Sequence, residues 1–129
     1  MRLIGDFYSV TSSLPPAEGS VYGFRIKLNA DHFIYKAHFP GHPVTPGVCL
    51  IQMVSELASE AEGMRLGIAS VKNVKFTDMV SPIDDSELMM IFTSRTYADD
   101  GTIKVQAQLV AAADPARVFS KFSVTLRKS

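Results

Sequence analysis

The segment from His38 to Gly63, HFPGHPVTPGVCLIQMVSELASEAEG, sets three kinds of chemically capable group at short spacing. His38 and His42 put imidazoles into a Pro/Gly-rich loop, and an imidazole titrates near neutral pH and can take a proton there. Pro46 and Gly47 open the one long helix the sequence can form. The backbone amides of a first helical turn lack intrahelical partners and carry partial positive charge, which suits a phosphate or an oxyanion. Gln52 and Glu56 follow, one turn apart on the same helix. An imidazole, a turn and an oxyanion-binding helix tip make a catalytic layout, although each part is common by itself.

The helix must position these groups. Thr45 reads as its N-cap, Pro46 as its first residue and Gly63 as the left-handed residue that ends it. Val48, Cys49, Leu50 and Ile51 are apolar on every side, which predicts a first turn buried all round. Val54, Leu57, Ala58 and Ala61 continue one apolar face, while Gln52, Ser55, Glu56 and Ser59 fall together at helical spacing. Gln52 therefore lies in the buried half yet begins the polar stripe. It is either a surface or partner-facing amide or a polar group aimed into a cavity beside His38. Cys49 reads as a small buried hydrophobe rather than a nucleophile, and His32 as structural or exposed rather than catalytic.

Around the helix the chain reads as strands. Residues 5–13 are a weak strand ending at Leu14-Pro15-Pro16. Residues 20–28 alternate clearly, with Tyr22, Phe24, Ile26 and Leu28 on one face. After the helix come strands over 69–77, 87–97, 102–112 and 117–127, with turns at Ser81–Asp85 and at Asp99-Asp100-Gly101. Ile103, Val105, Ala107 and Leu109 line one face of the third of these, and Phe122, Val124 and Leu126 one face of the last. A lone apolar helix among six strands is most economically buried by one curved antiparallel sheet, an α+β arrangement. The 129 residues fit a single domain over 1–129. Thirteen Lys and Arg balance thirteen Asp and Glu, so net charge gives no argument for nucleic acid or membrane. One cysteine excludes an intrachain disulfide, and no leader or membrane span is legible, so a cytoplasmic location is expected. No metal site is supported, because no second ligand cluster accompanies the three histidines. No Gly-rich phosphate loop or dinucleotide fingerprint is present.

HFPGHPVTPGV followed by LIQMVSELA resembles the signature of the 3-hydroxyacyl-[acyl-carrier-protein] dehydratases, a hot-dog-fold family, and VKFTDMVSPIDDSEL resembles that family's strand, its Phe and the following turn. The likeness covers roughly residues 20–127. It implies a hot-dog fold, a curved six-stranded antiparallel sheet around one long helix, and a dimer with sheets joined edge to edge. In such a dimer the His of one chain faces the helix of the other. It also implies a substrate carried on the phosphopantetheine of an acyl carrier protein, with no other cofactor. His38 becomes the base, and Phe39, Gly41, His42, Pro46, Gly47 and Val48 become the substrate-binding set. Two positions depart from the family pattern: Gln52 stands where its catalytic Glu or Asp is found, and His42 where Arg is usual.

Eliminating water from a 3-hydroxyacyl thioester needs a base, an oxyanion stabiliser and an acid for the leaving oxygen. His38 and the Gly47 and Val48 amides suit the first two. Gln52 cannot be the third, since a carboxamide near pH 7 hydrogen-bonds but exchanges no proton. Glu56, one turn on, is either a displaced acid or a solvated carboxylate, and His42 either a proton carrier or a structural or phosphopantetheine-side residue. Three functions follow. The first is a dehydratase with a non-standard acid. The second is a non-catalytic or half-catalytic acyl-thioester-binding subunit, completed by a related dehydratase chain. The third is a hot-dog thioesterase, against which the long dehydratase-like loop argues.

Overall fold

A computed structural model describes residues 2–37 and 41–129 of the chain. Helix α2 (Gly47–Glu62) lies at its centre, and Leu50, Met53, Val54, Leu57 and Ala58, spaced to share one face, are all buried. Against them lies a six-stranded antiparallel sheet in the order β1-β2-β4-β5-β6-β3. Its strands are β1 (Tyr8–Leu14), β2 (Tyr22–Leu28), β3 (Leu66–Phe76), β4 (Glu87–Tyr97), β5 (Ile103–Ala111) and β6 (Val118–Lys128). This is the hot-dog fold.

Period-2 alternation sends one row of each strand toward the helix. Phe24, Met90 and Leu109 are register partners in series across β2, β4 and β5, and Phe92, Ala107 and Phe122 across β4, β5 and β6. In the second row a methyl sits between two rings, and this alternation of large and small lets the layer interlock with α2. Register shifts between Ile68 and Ser70, Val71 and Asn73, Phe92 and Ser94, and Leu109 and Val110 bend the sheet around the helix.

Strand β4 has the expected bounds, and β2, β5 and β6 fall within one or two residues of theirs. Strand β3 begins at Leu66, earlier than expected, and β1 only at Tyr8, because the chain before it turns, with the Gly5 amide donating to the Tyr8 carbonyl at 2.7 Å. A short helix α1 (Phe33–Ala37), which the sequence pattern did not signal, leads toward the histidine loop. Gly63 does end α2 in the left-handed region, at φ 68°.

Two expectations at the start of α2 are corrected. Pro46, not Thr45, is the N-cap residue, and no side chain caps the helix. The Thr45 hydroxyl is instead taken by the buried Tyr35 phenol at 3.0 Å. Nor is the first turn buried all round, since Val48 is 67% exposed and Ile51 only half-buried. The sheet covers one side of that turn, and among the described residues nothing covers Val48 on the other.

Leu57 is wholly buried at the middle of α2. Leu57→Ala is expected to lower unfolding free energy by about 2–5 kcal/mol, as for other buried leucine truncations, read from urea midpoints at unchanged slope.

Candidate functional site

His38 and Phe39, the expected base and its neighbour, lie outside the described residues. The elements on either side of them are firmly held. On the α1 side, the His32 ring stacks on Phe33 at 4.6 Å and meets Phe7 edge-on at 5.2 Å. His32 Nε2 is 3.1 Å from an Asp6 carboxylate oxygen, and its Nδ1 accepts the Ile34 amide at 3.2 Å. His32 is thus buried and structural. Tyr35 stacks on Phe7 at 5.2 Å. Burial, partly offset by the Thr45 hydrogen bond, pushes its phenol up to about 12. On the α2 side, the Thr45 amide donates to the Val80 carbonyl at 2.8 Å. The Tyr35–Thr45 bond therefore closes the loop that carries both candidate histidines, joining residues ten apart in sequence.

The tip of α2 is shaped by a ring. A Cβ on Gly47 would lie 2.7 Å from Cζ of Phe76, so only glycine lets β3 approach the helix start this closely. Phe76 in turn meets Phe122 edge-on at 6.4 Å. The Gly47 and Val48 amides have no hydrogen-bond acceptor among the described residues, as an anion-receiving tip requires. Cys49 is buried just behind them, and burial pushes its thiol up, away from nucleophile chemistry.

Gln52 is half-buried and lines a cleft of about 700 Å³ together with Glu56, Ser59, Arg2 and Arg65. Its Nε2 donates to Glu56 at 3.1 Å. Glu56 is not a solvated carboxylate. It accepts the Leu3 amide at 2.7 Å, the Ile4 amide at 2.9 Å and the Tyr8 phenol at 2.9 Å. Burial, and then the Glu56 charge, hold the Tyr8 phenol far above its ordinary range. Nothing in the sequence signalled this N-terminal strap, because backbone amides leave no mark on residue type.

His42 is exposed and, with Gly41, lines a second cleft, beside Met79, Ile83 and Arg117. Arg117 braces the wall there, bonding Asp78 at 2.9 Å and Asp85 at 3.0 Å while lying 4.5 Å from the centre of the Phe119 ring. Its guanidinium holds the Asp78 carboxyl below the usual carboxylate range. Among the described residues the clefts lined by His42 and by Gln52 share no lining residue. No group of His, Cys, Asp or Glu among the described residues is placed to hold a metal ion, and no helix among them is long and apolar enough to cross a membrane.

Gly47→Ala is expected to push Phe76 aside and cost about 1–3 kcal/mol, the usual scale of overpacking. In Gly47→Ala/Phe76→Leu much of that loss should return, giving a coupling energy in a double-mutant cycle that two independent sites would not show.

The FabZ 3-hydroxyacyl-[acyl-carrier-protein] dehydratase of Syntrophomonas wolfei is 31% identical over 111 residues, spanning 78% of this chain and 76% of that protein. The FabZ of Lactiplantibacillus plantarum is 28% identical over 121 residues, spanning 84% and 80%. Among solved structures, the dehydratase heterocomplex ApeI:P of Xenorhabdus doucetiae matches with a TM-score of 0.68 at 18% identity, covering 92% of this chain and 96% of that one. The model of the ApeI-like family, described as ApeI dehydratase, matches residues 16–113. The chain belongs to the ApeI-like dehydratase family.

Proposed function

We propose that this chain, as one hot-dog unit, eliminates water from a 3-hydroxyacyl thioester to give the trans-2-enoyl thioester. The acyl group is presented on the phosphopantetheine of an acyl carrier protein, in the cytoplasm. The observation that carries this reading is the helix tip at Gly47 and Val48, whose amides have no acceptor among the described residues, with Gln52 about 7.5 Å from Gly47 along the same helix, in a chain of a dehydratase family.

His38 removes the proton beside the thioester carbonyl, and the oxyanion that develops is held by the Gly47 and Val48 amides. Gln52 holds the C3 hydroxyl by hydrogen bonding. With no acid at position 52, the proton on the His38 imidazole is the one handed to the departing oxygen, which leaves as water. Such a route is slow compared with one that has its own general acid, which typically contributes about 10²–10⁴ in rate. Phe39, Gly41, His42 and Pro46 shape the approach of the acyl-phosphopantetheine arm.

A homodimer completes the site in this reading. Strand β3 is an edge of the sheet, and Val48, Val71 and Phe76 are exposed on or beside it. Exposed apolar edges are a liability unless paired.

A second reading is favoured by the engagement of Glu56 with the strap, the carboxylate one turn from Gln52 being held there by three donors rather than turned to acid work. Here the chain is a half-catalytic acyl-thioester-binding subunit, paired with a related dehydratase chain that supplies the acid. A match to a dehydratase heterocomplex is in keeping with this.

The test is incubation of the purified chain, alone, with 3-hydroxyacyl and trans-2-enoyl carrier-protein thioesters, read by mass. Slow interconversion is expected, with no free acid released; release of the free acid would mean thioester hydrolysis instead. His38→Ala should abolish turnover while the melting temperature stays within a few degrees. Gln52→Glu alone would set two carboxyls side by side, one keeping its proton bonded to the other. Gln52→Glu/Glu56→Gln avoids this and should raise dehydration by about 10²-fold or more. A wild type that binds substrate without turnover, and is not rescued by the double change, establishes the half-site subunit.

A further inference from the structure

We propose that Glu56 is a positioning residue that turns Gln52 into a fixed hydrogen-bond acceptor, so that the site selects an acyl chain bearing a hydrogen-bond donor at C3. The inference rests on the reading above, that a 3-hydroxyacyl thioester occupies the Gln52 cleft.

A free glutamine side chain is ambivalent, since its amide can turn to offer a donor or an acceptor to whatever arrives. Gln52 does not have that freedom. Glu56 Oε2 accepts from Gln52 Nε2 at 3.1 Å and from the Leu3 amide at 2.7 Å. Glu56 Oε1 accepts from the Ile4 amide at 2.9 Å and the Tyr8 phenol at 2.9 Å. Two donors on each oxygen are the full complement of a carboxylate. An ionised carboxylate offers only acceptors, so the end of the Gln52 amide that faces it must be the NH₂ end. The Gln52 carbonyl oxygen is then turned away from Glu56.

The carboxylate itself is not free to move. Leu3, Phe7 and Tyr8 are buried in the core, so the strap that supplies three of its donors is anchored. The helix backbone beneath is tied too, with Ser55 Oγ donating to the Gln52 carbonyl of the main chain at 2.8 Å. Buried groups thus hold the amide in one orientation.

A fixed acceptor discriminates by the third carbon of the ligand. A 3-hydroxyl donates to the Gln52 carbonyl oxygen. A 3-oxo group sets one acceptor against another, and sites built to hydrogen-bond a substrate hydroxyl reject analogues that cannot donate. The enoyl product has no oxygen at C3, so the contact that retains the substrate is absent once water has left.

The experiment compares binding of matched 3-hydroxyacyl and 3-oxoacyl pantetheine amides, which the chain cannot turn over as thioesters, with the side-chain amide resonances of ¹⁵N-glutamine-labelled protein. Wild type is expected to bind the 3-hydroxy ligand at least about tenfold tighter, and to show one strongly downfield, slowly exchanging Gln52 amide proton. Glu56→Met should bring the affinity ratio close to one and return that resonance to ordinary positions. Tyr8→Phe loosens the strap but keeps the carboxylate, and should preserve both. Equal affinities in wild type, or a ratio that survives Glu56→Met, overturns the proposal. If Glu56→Met does not fold, an ordinary Gln52 amide resonance in wild type overturns it by itself. If neither ligand binds, the functional reading fails, and the resonances alone decide whether Glu56 fixes the amide.

Discussion

One constraint governs the molecule: α2 is the single long helix, and its apolar face can be dried only by the concave side of the sheet. Leu50, Met53, Val54, Leu57 and Ala58 need a cover, and no second helix of comparable length is available among the described residues. Burial of the leucine, methionine and valine side chains among them contributes about 1.5–3 kcal/mol each, more than a surface ion pair does. The sheet must therefore curl, and the register shifts in β3, β4 and β5 are where it does so. Everything chemical in the chain is placed by this wrapping. It sets the tip of α2 against Phe76 and the polar stripe toward the N-terminal strap.

The wrapped core was readable because its signals are local and periodic. The alternation of Phe24, Ile26 and Leu28, of Ile103 to Leu109, and of Phe122 to Leu126 states which strand faces are dry, and Gly63 states where the helix stops. The start of α2 was misread for the opposite reason. Thr45 has the residue type of a cap, but a partner ten residues away in sequence, Tyr35, holds its hydroxyl. A propensity argument sees only the near neighbours of Thr45. Val48 was misjudged by a similar route, since an apolar residue at the end of an element is buried only if something lies beyond it.

The candidate site was legible in part. Residue types and spacing single out the loop, the helix tip and the Gln52–Glu56 pair, and the pair does meet, at 3.1 Å. What spacing does not reveal is direction and partner. Glu56 shares a helix face with Gln52, as a displaced acid would, yet its acceptors are filled by two backbone amides and a phenol from residues 3–8. A contact made across more than forty residues to groups present in every residue leaves no pattern to read. Phe76 was equally hidden, because a requirement for glycine at position 47 looks the same whether it serves a turn, a ligand or an aromatic ring.

The magnitudes decide what Glu56 does. For Glu56 to turn to a substrate as a proton donor, it must leave the Leu3 and Ile4 amides, the Tyr8 phenol and the Gln52 amide. A buried donor left without an acceptor costs about 1–3 kcal/mol. Stranding two backbone amides and a phenol therefore costs several kcal/mol, and the strap that packs Leu3, Phe7 and Tyr8 into the core would loosen with them. General acid catalysis typically gains about 10²–10⁴ in rate, or roughly 3–5.5 kcal/mol at 1.36 kcal/mol per tenfold. The gain is of the same size as the loss, so moving the acid one turn along the helix yields little. The carboxylate is better kept as an anchor for the strap and for the Gln52 amide. In the proposed dehydration, protonation of the departing oxygen then falls to an imidazole or to a second chain.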